Sequence, residues 1–136
     1  MVRNYDLSVG PFPRGFHLVT QAIVDAVDSW PDEGMLQVFI QHTSAGICIN
    51  ENADITVRQD FELYFNRLAP ENMPGLQHDI EGPDDMPAHI KSTIAGSSIQ
   101  VPIMKGRPAL GTWQGIFLCE FRNHARKRDL IITILQ

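Results

Sequence analysis

The chain has 136 residues, 43% of them apolar and 20% charged, and carries a net charge of −5 at pH 7. That size suits one domain over residues 1–136, able to bury a core without disulfide or metal staples. The acidic balance argues against non-specific nucleic-acid binding, no apolar run approaches membrane-spanning length, and no charged head followed by an apolar block opens the chain.

Residues 2–9 are expected to form an edge strand, after which Pro11 and Pro13 punctuate the chain. Between Gly15 and Trp30 the apolar positions Val19, Ala22, Ile23, Ala26, Val27 and Trp30 predict an amphipathic helix, ended by Pro31. Met35 to Ile40 is a short strand. His42-Thr43-Ser44-Ala45-Gly46 interrupts it and Ile47-Cys48-Ile49 resumes it. A second helix is predicted from Asp54 to Leu68, with Asp54 as its N-cap and Val57, Phe61, Tyr64, Phe65 and Leu68 along one face. Residues 69–85 form the longest irregular stretch, of a kind that in small domains is usually functional or disordered. A short helix follows from Pro87 to Ala95, with Pro87 in the first turn and Gly96 past the end.

The last forty residues alternate as β-structure. Ile99, Val101 and Ile103 mark one strand, Lys105-Gly106-Arg107-Pro108 a turn, and Ile116–Phe121 and Leu130–Leu135 two central strands. A basic turn from Asn123 to Arg128, read as solvated, joins the last two. Cys48 and Cys119 each sit in an apolar run and read as buried small hydrophobes in a reducing, cytoplasmic setting. The order of elements implies an α+β fold, a mostly antiparallel sheet sandwich with helices packed on one face.

Chemistry concentrates in three places. The stretch from His78 to Lys91 holds two histidines, three aspartates, a glutamate and a lysine, stiffened by Pro83, Pro87 and Gly82. Asp85 and His89, four apart, share one face of a helix, and nitrogen with carboxylate ligands suits zinc or a similar divalent ion. The second place is His42-Thr43-Ser44, where a strand breaks off and hydroxyls can hold phosphate oxygens. The third is Gly111-Thr112-Trp113-Gln114-Gly115 with Glu120 and Arg122 beyond it; those two point to one face of a strand, and Arg122 is the better phosphate ligand of its cluster. A Ser44-His89-Asp85 hydrolase lacks the G-x-S-x-G elbow.

The segments QHTSAGICINENAD, HDIEGPDDMPAHIKS and LGTWQGIFLCEFR together resemble the YjbQ family, described as secondary thiamine-phosphate synthases, over about Gly15 to Gln136. The resemblance implies a homotrimer with pockets between subunits, acting on a small phosphorylated metabolite. It implies a coupling of a pyrimidine diphosphate to a thiazole phosphate with release of pyrophosphate. His42, Asp85, His89 and Glu120 would be catalytic. Thr43, Ser44, Asn52, Lys91, Trp113, Gln114 and Arg122 would bind substrate. The metal ligands would be His42, His78 and His89, with Mg or Zn as the ion. Pro87 stands where one branch of the family has a second histidine, and Phe121 where close relatives have histidine. The rival readings are a metal-assisted hydrolase of a small phosphorylated or acyl substrate and a non-catalytic metabolite-binding trimer.

Overall fold

The computed structural model describes residues 1–136. Eight strands and three helices form three layers. β1 (Val2–Val9), β8 (Arg128–Leu135), β3 (Glu33–Ile40), β5 (Ser98–Met104) and β6 (Arg107–Pro108) make a five-stranded sheet in that order. β2 (Gly15–Leu18), β7 (Gln114–Glu120) and β4 (Ala45–Glu51) make a three-stranded sheet. Every pairing is antiparallel.

The two sheets face each other over one apolar core. Leu36, Val38, Val101, Leu130, Ile132 and Ile134 from the larger sheet meet Ile47, Ile116 and Leu118 from the smaller. The far side of the smaller sheet has its own core: Phe16, Phe117, Cys119 and Phe121 lie under α2 (Ile55–Leu68) and α3 (Asp85–Ala95), with Phe61, Phe65, Ala88 and Ala95. β7 is thus covered on both faces and buried at every position but its first. This is the expected sandwich with helices on one face. Phe121 packs edge-on to Phe16 and stacks on Phe65, so an apolar ring fits that position.

Three expectations change. The helix predicted from Gly15 to Trp30 is α1, only Thr20–Ala26, and Gly15–Leu18 is a strand pairing with β7 from Gly15↔Glu120 to Leu18↔Phe117. Phe16 and Val19 fit either pattern, and the pairing edge that β7 offers decides for strand. The interruption at His42–Ser44 is a crossing from one sheet to the other, not a break in one strand. On α2 Phe61 and Phe65 pack inward, but Tyr64 and Leu68 are exposed. Asp54 caps α2 as expected, its Oδ1 accepting from the Thr56 N–H at 2.9 Å. β5 and β6 are joined by the two residues Lys105 and Gly106, both at positive φ (55° and 75°), the backbone of a tight hairpin turn.

α3 lies across β4 where Gly46 has no side chain. A Cβ there would stand 2.8 Å from the Ala95 Cβ and 2.9 Å from the Gly96 carbonyl oxygen. That close approach seats the end of α3 beside the His42–Ser44 crossing. Gly46→Ala should therefore cost about 1–3 kcal/mol by overpacking. In thermal unfolding it should lower Tm by several degrees, and an unchanged Tm would show that α3 is not held by this contact.

Candidate functional site

Two buried carboxylates and one arginine organise the start of α3. Asp84 and Asp85 are 7% and 2% exposed. α3 begins at Asp85, ahead of the expected Pro87, and Asp84 occupies the N-cap position without capping through its side chain. Its Oδ2 instead accepts from Arg122 Nε and from the Asn123 N–H, each at 2.9 Å. Arg122 Nη1 donates to Asp85 Oδ1 at 2.6 Å and Nη2 to the Glu81 carbonyl at 3.0 Å. The planar guanidinium so spans both aspartates and the loop before them. Arg122 lies past the end of β7, not within a strand as expected.

With Oδ1 of Asp85 taken, Oδ2 faces two imidazoles: His78 Nε2 at 2.8 Å and His89 Nε2 at 3.1 Å. The donor atoms of His78, Asp85 and His89 all lie within 4.8 Å of one another. His89 Nδ1 is 2.8 Å from the Thr43 carbonyl oxygen. A carbonyl only accepts, so Nδ1 carries the hydrogen and the neutral ring presents its lone pair at Nε2. Two acceptors, Nε2 and a carboxylate oxygen, then face each other, and a proton or a cation must lie between them. A histidine with its outer nitrogen bonded to a carbonyl is the usual setting of a metal ligand. The donor set of two nitrogens and one oxygen suits zinc, with room for a fourth ligand on the exposed His78 side.

Burial pushes the Asp85 carboxyl up, but the His78 hydrogen bond, the neighbouring His89 ring and the Arg122 charge outweigh it and hold the carboxyl below its ordinary range. At Asp84 burial is likewise outweighed, by the Asn123 N–H and by Arg122.

His42 does not join this group. Its Nε2 accepts from the Asp129 N–H at 2.8 Å, and Arg128 Nη1 lies 3.3 Å from its Nδ1. Burial and then the Arg128 charge lower its pKa, against Asp129 and Glu120. Asp85 thus takes the place in the cluster that the sequence assigns to His42, and all three donors come from one loop and α3.

Glu120 is fully buried and Arg128 is 7% exposed. Arg128 grips both carboxylate oxygens, Nε to Oε1 at 2.7 Å and Nη2 to Oε2 at 2.5 Å, and also reaches Ser44 Oγ at 3.0 Å. Glu120 therefore supports the site from below, with no free oxygen facing a substrate. Neither Arg128 nor Asp84 stands out as functional in the sequence. A glutamate ending an apolar strand needs a buried cation, and Arg128, opening the next apolar strand, is the available signal.

The remaining expected residues are dispersed. Lys91 is buried on the α2 side, donating to Asn66 Oδ1 at 2.7 Å, and burial followed by the Arg14 charge lowers its pKa against Glu62, Glu71 and Asp84. Asn52, Trp113 and Gln114 sit at the opposite end of β7 from Glu120. There Asn52 accepts from Arg58, Gln114 accepts from the Gly111 N–H, and Trp113 is exposed. Thr43 contributes its carbonyl. A cleft of about 430 Å³ opens beside His89, lined by His42, Thr43, Ser92, Thr93 and Ser97. It is rich in hydroxyls, and Ser92 Oγ donates to the same Thr43 carbonyl at 2.7 Å.

The family model described as "UPF0047 protein YjbQ-like" matches residues 6–136. The chain belongs to this family. It is similar to UPF0047 protein YjbQ of Salmonella typhimurium, at 48% identity over 90% of this chain and 89% of the other. A UPF0047 protein of Methanocaldococcus jannaschii is 41% identical over 86% of this chain and 82% of its own. Among solved structures, a conserved hypothetical protein from Thermus thermophilus superposes with a TM-score of 0.85 at 34% identity, covering 96% of this chain and 98% of that one. No helix of the UPF0047 chain is long and apolar enough to cross a membrane.

The lowered pKa values fix a sign for stability against pH. A group whose pKa is lower folded than unfolded contributes fully above its unfolded value, and that contribution is lost as pH falls through the folded one. Stability should decline first below about pH 6.5, where unfolded histidine protonates and His42 resists, and again below about pH 3.9 for Asp84 and Asp85. Urea unfolding across pH 3–8 checks this. His42→Asn should remove the first decline, and a first decline that persists in that variant would assign it to another group.

Proposed function

We propose that the chain is a divalent-metal-dependent enzyme that hydrolyses a small phosphorylated substrate. His78, Asp85 and His89 hold the ion, and the hydroxyl-lined cleft beside His89 holds the substrate. The observation that carries the reading is the fixed tautomer of His89: the Thr43 carbonyl holds Nδ1–H and leaves the Nε2 lone pair aimed at Asp85 and His78. When bound, a zinc ion would polarise a phosphoryl oxygen and acidify a water.

The chain's own residues do the rest. Arg122 clamps Asp85 Oδ1 and so turns Oδ2 towards the two histidines. His78, half-exposed, would be the ligand on the solvent side, where the ion's fourth position is open to water. Ser97 presents its hydroxyl to a substrate's oxygens, while Thr93 donates to the His89 carbonyl at 2.9 Å and Ser92 holds the Thr43 carbonyl in place. His42, kept neutral beside Arg128, adds no charge to the cleft wall.

A second reading is the thiamine-phosphate-synthase-like coupling, favoured by the cationic turn from Arg122 to Arg128, which could neutralise a departing pyrophosphate. It asks Asp85, Glu120 and Trp113 to shelter a developing cation, but Glu120 is saturated by Arg128 and Trp113 stands at the far end of β7, which leaves Asp85 alone. In that reading Asn52, Trp113 and Gln114 serve a site only from another subunit of a trimer.

The test is turnover of a panel of phosphate monoesters by chelator-stripped protein, with zinc, manganese or magnesium restored, and the coupling reaction assayed in parallel. Activity should return with metal, and His89→Ala should lose at least about 100-fold while staying folded, since even changes to the groups behind a ligand cost 10–100-fold. Turnover that ignores both chelation and His89→Ala would end the reading. Coupling without hydrolysis would favour the second.

A further inference from the structure

The turn between β7 and β8, expected to be merely solvated, borders a second cleft of about 420 Å³ on the other side of His42. Ser44, Arg122, His124, Arg126, Lys127 and Arg128 line it. Four of the chain's 11 lysines and arginines fall between positions 122 and 128, in a chain whose net charge is −5. Two of them are spoken for: Arg122 by Asp84 and Asp85, Arg128 by Glu120. Arg126 and Lys127 are exposed and form no ion pair with any carboxylate. Asp129 is the one carboxylate on the rim, and it accepts from Ser8 Oγ at 2.7 Å.

The segment is anchored at both ends. The Arg122 N–H donates to Glu120 Oε2 at 3.2 Å, the Asn123 N–H to Asp84, and the Asp129 N–H to His42. Between those anchors the backbone amides of His124, Ala125, Arg126 and Lys127 donate to no protein acceptor. Loose cations, free amides and a concave wall on a pinned turn make a receptor for an anion of more than one charge. A single carboxylate would leave one cation unanswered. The volume admits a small molecule.

We propose that this cleft binds a second phosphoryl group of a small metabolite that carries more than one, with Arg126 and Lys127 as the charge-bearing ligands and His124 beside them. This rests on the proposed reading of the neighbouring site as one that acts on phosphorylated substrates, and it assigns a place to the phosphoryl group that is not the one cleaved there. The doubly charged end lies on the far side of His42 from the His89 cleft, and Arg122 connects the two through Asp85.

The probes are inorganic phosphate and pyrophosphate, titrated calorimetrically into full-length, chelator-stripped protein. Both should bind, and Arg126→Ala/Lys127→Ala should weaken binding by roughly tenfold per charge removed, at about 1.5 kcal/mol for each charged hydrogen bond. The two side chains hold no partner in the fold, so circular dichroism and Tm should be unchanged. Absent binding, or affinity unchanged in the double variant, overturns the assignment. Zinc uptake separates this from the metal reading. Protein that takes up zinc but no phosphate rules out the cleft alone, whereas phosphate bound through Arg126 and Lys127 in protein that takes up no zinc rules out the metal site alone.

Discussion

The bidentate pair between Glu120 and Arg128 is the interaction on which the functional end of this molecule depends. Glu120 ends the central strand of the small sheet and Arg128 opens a central strand of the large one. Their bond ties the two layers together where the chain crosses between them. Removing one partner would leave a buried charge unanswered, a loss of about 3–5 kcal/mol. Because Arg128 also reaches Ser44 and His42, the same bond sets the crossing from β3 to β4. That crossing supplies the Thr43 carbonyl, which fixes the tautomer of His89. The donor cluster at α3 is thus positioned from beneath by a salt bridge that lies outside it.

Above it, charge is arranged in alternate steps. Arg128 answers Glu120, Arg122 answers Asp84 and Asp85, and Asp85 faces His78 and His89. Each buried carboxylate has its cation or its hydrogen-bond donors, which a low-dielectric setting demands. The steps end in solvent in two ways: imidazole nitrogens on the His78 side, and the unpaired Arg126 and Lys127 on the other. In the proposed reading one end takes a cation and the other an anion, and His42, held neutral, stands between the two clefts.

Much of the fold was legible in the residues. Asp54 announced α2, the alternation through Val101 and Ile103 announced β5, and the apolar density of Ile116–Phe121 announced a central strand. The Asp85–His89 spacing announced two of the three donors, since four residues on a helix is a local relation. What was not legible depends on contacts between distant segments. Gly15–Leu18 is a strand because β7 offers it an edge, and nothing in Phe16 or Leu18 says so. His42 looked like a ligand because histidines group by type on paper; in the fold its nitrogens are claimed by Asp129 and Arg128. Arg128 looked like surface because its neighbours Arg126 and Lys127 are, yet only it faces Glu120. Lys91 shares the loop's sequence but turns to Asn66 on the other side of α3, a difference of helical phase that a list of charged residues does not display.

The most direct test is crystallographic. Crystals of the wild-type chain grown with zinc, with data collected on both sides of the zinc absorption edge, should give one anomalous peak per chain. It should lie about 2.0–2.2 Å from His78 Nε2, Asp85 Oδ2 and His89 Nε2, the range for zinc with nitrogen and carboxylate ligands. Zinc absent from that position, or bound there without His89, would contradict the account.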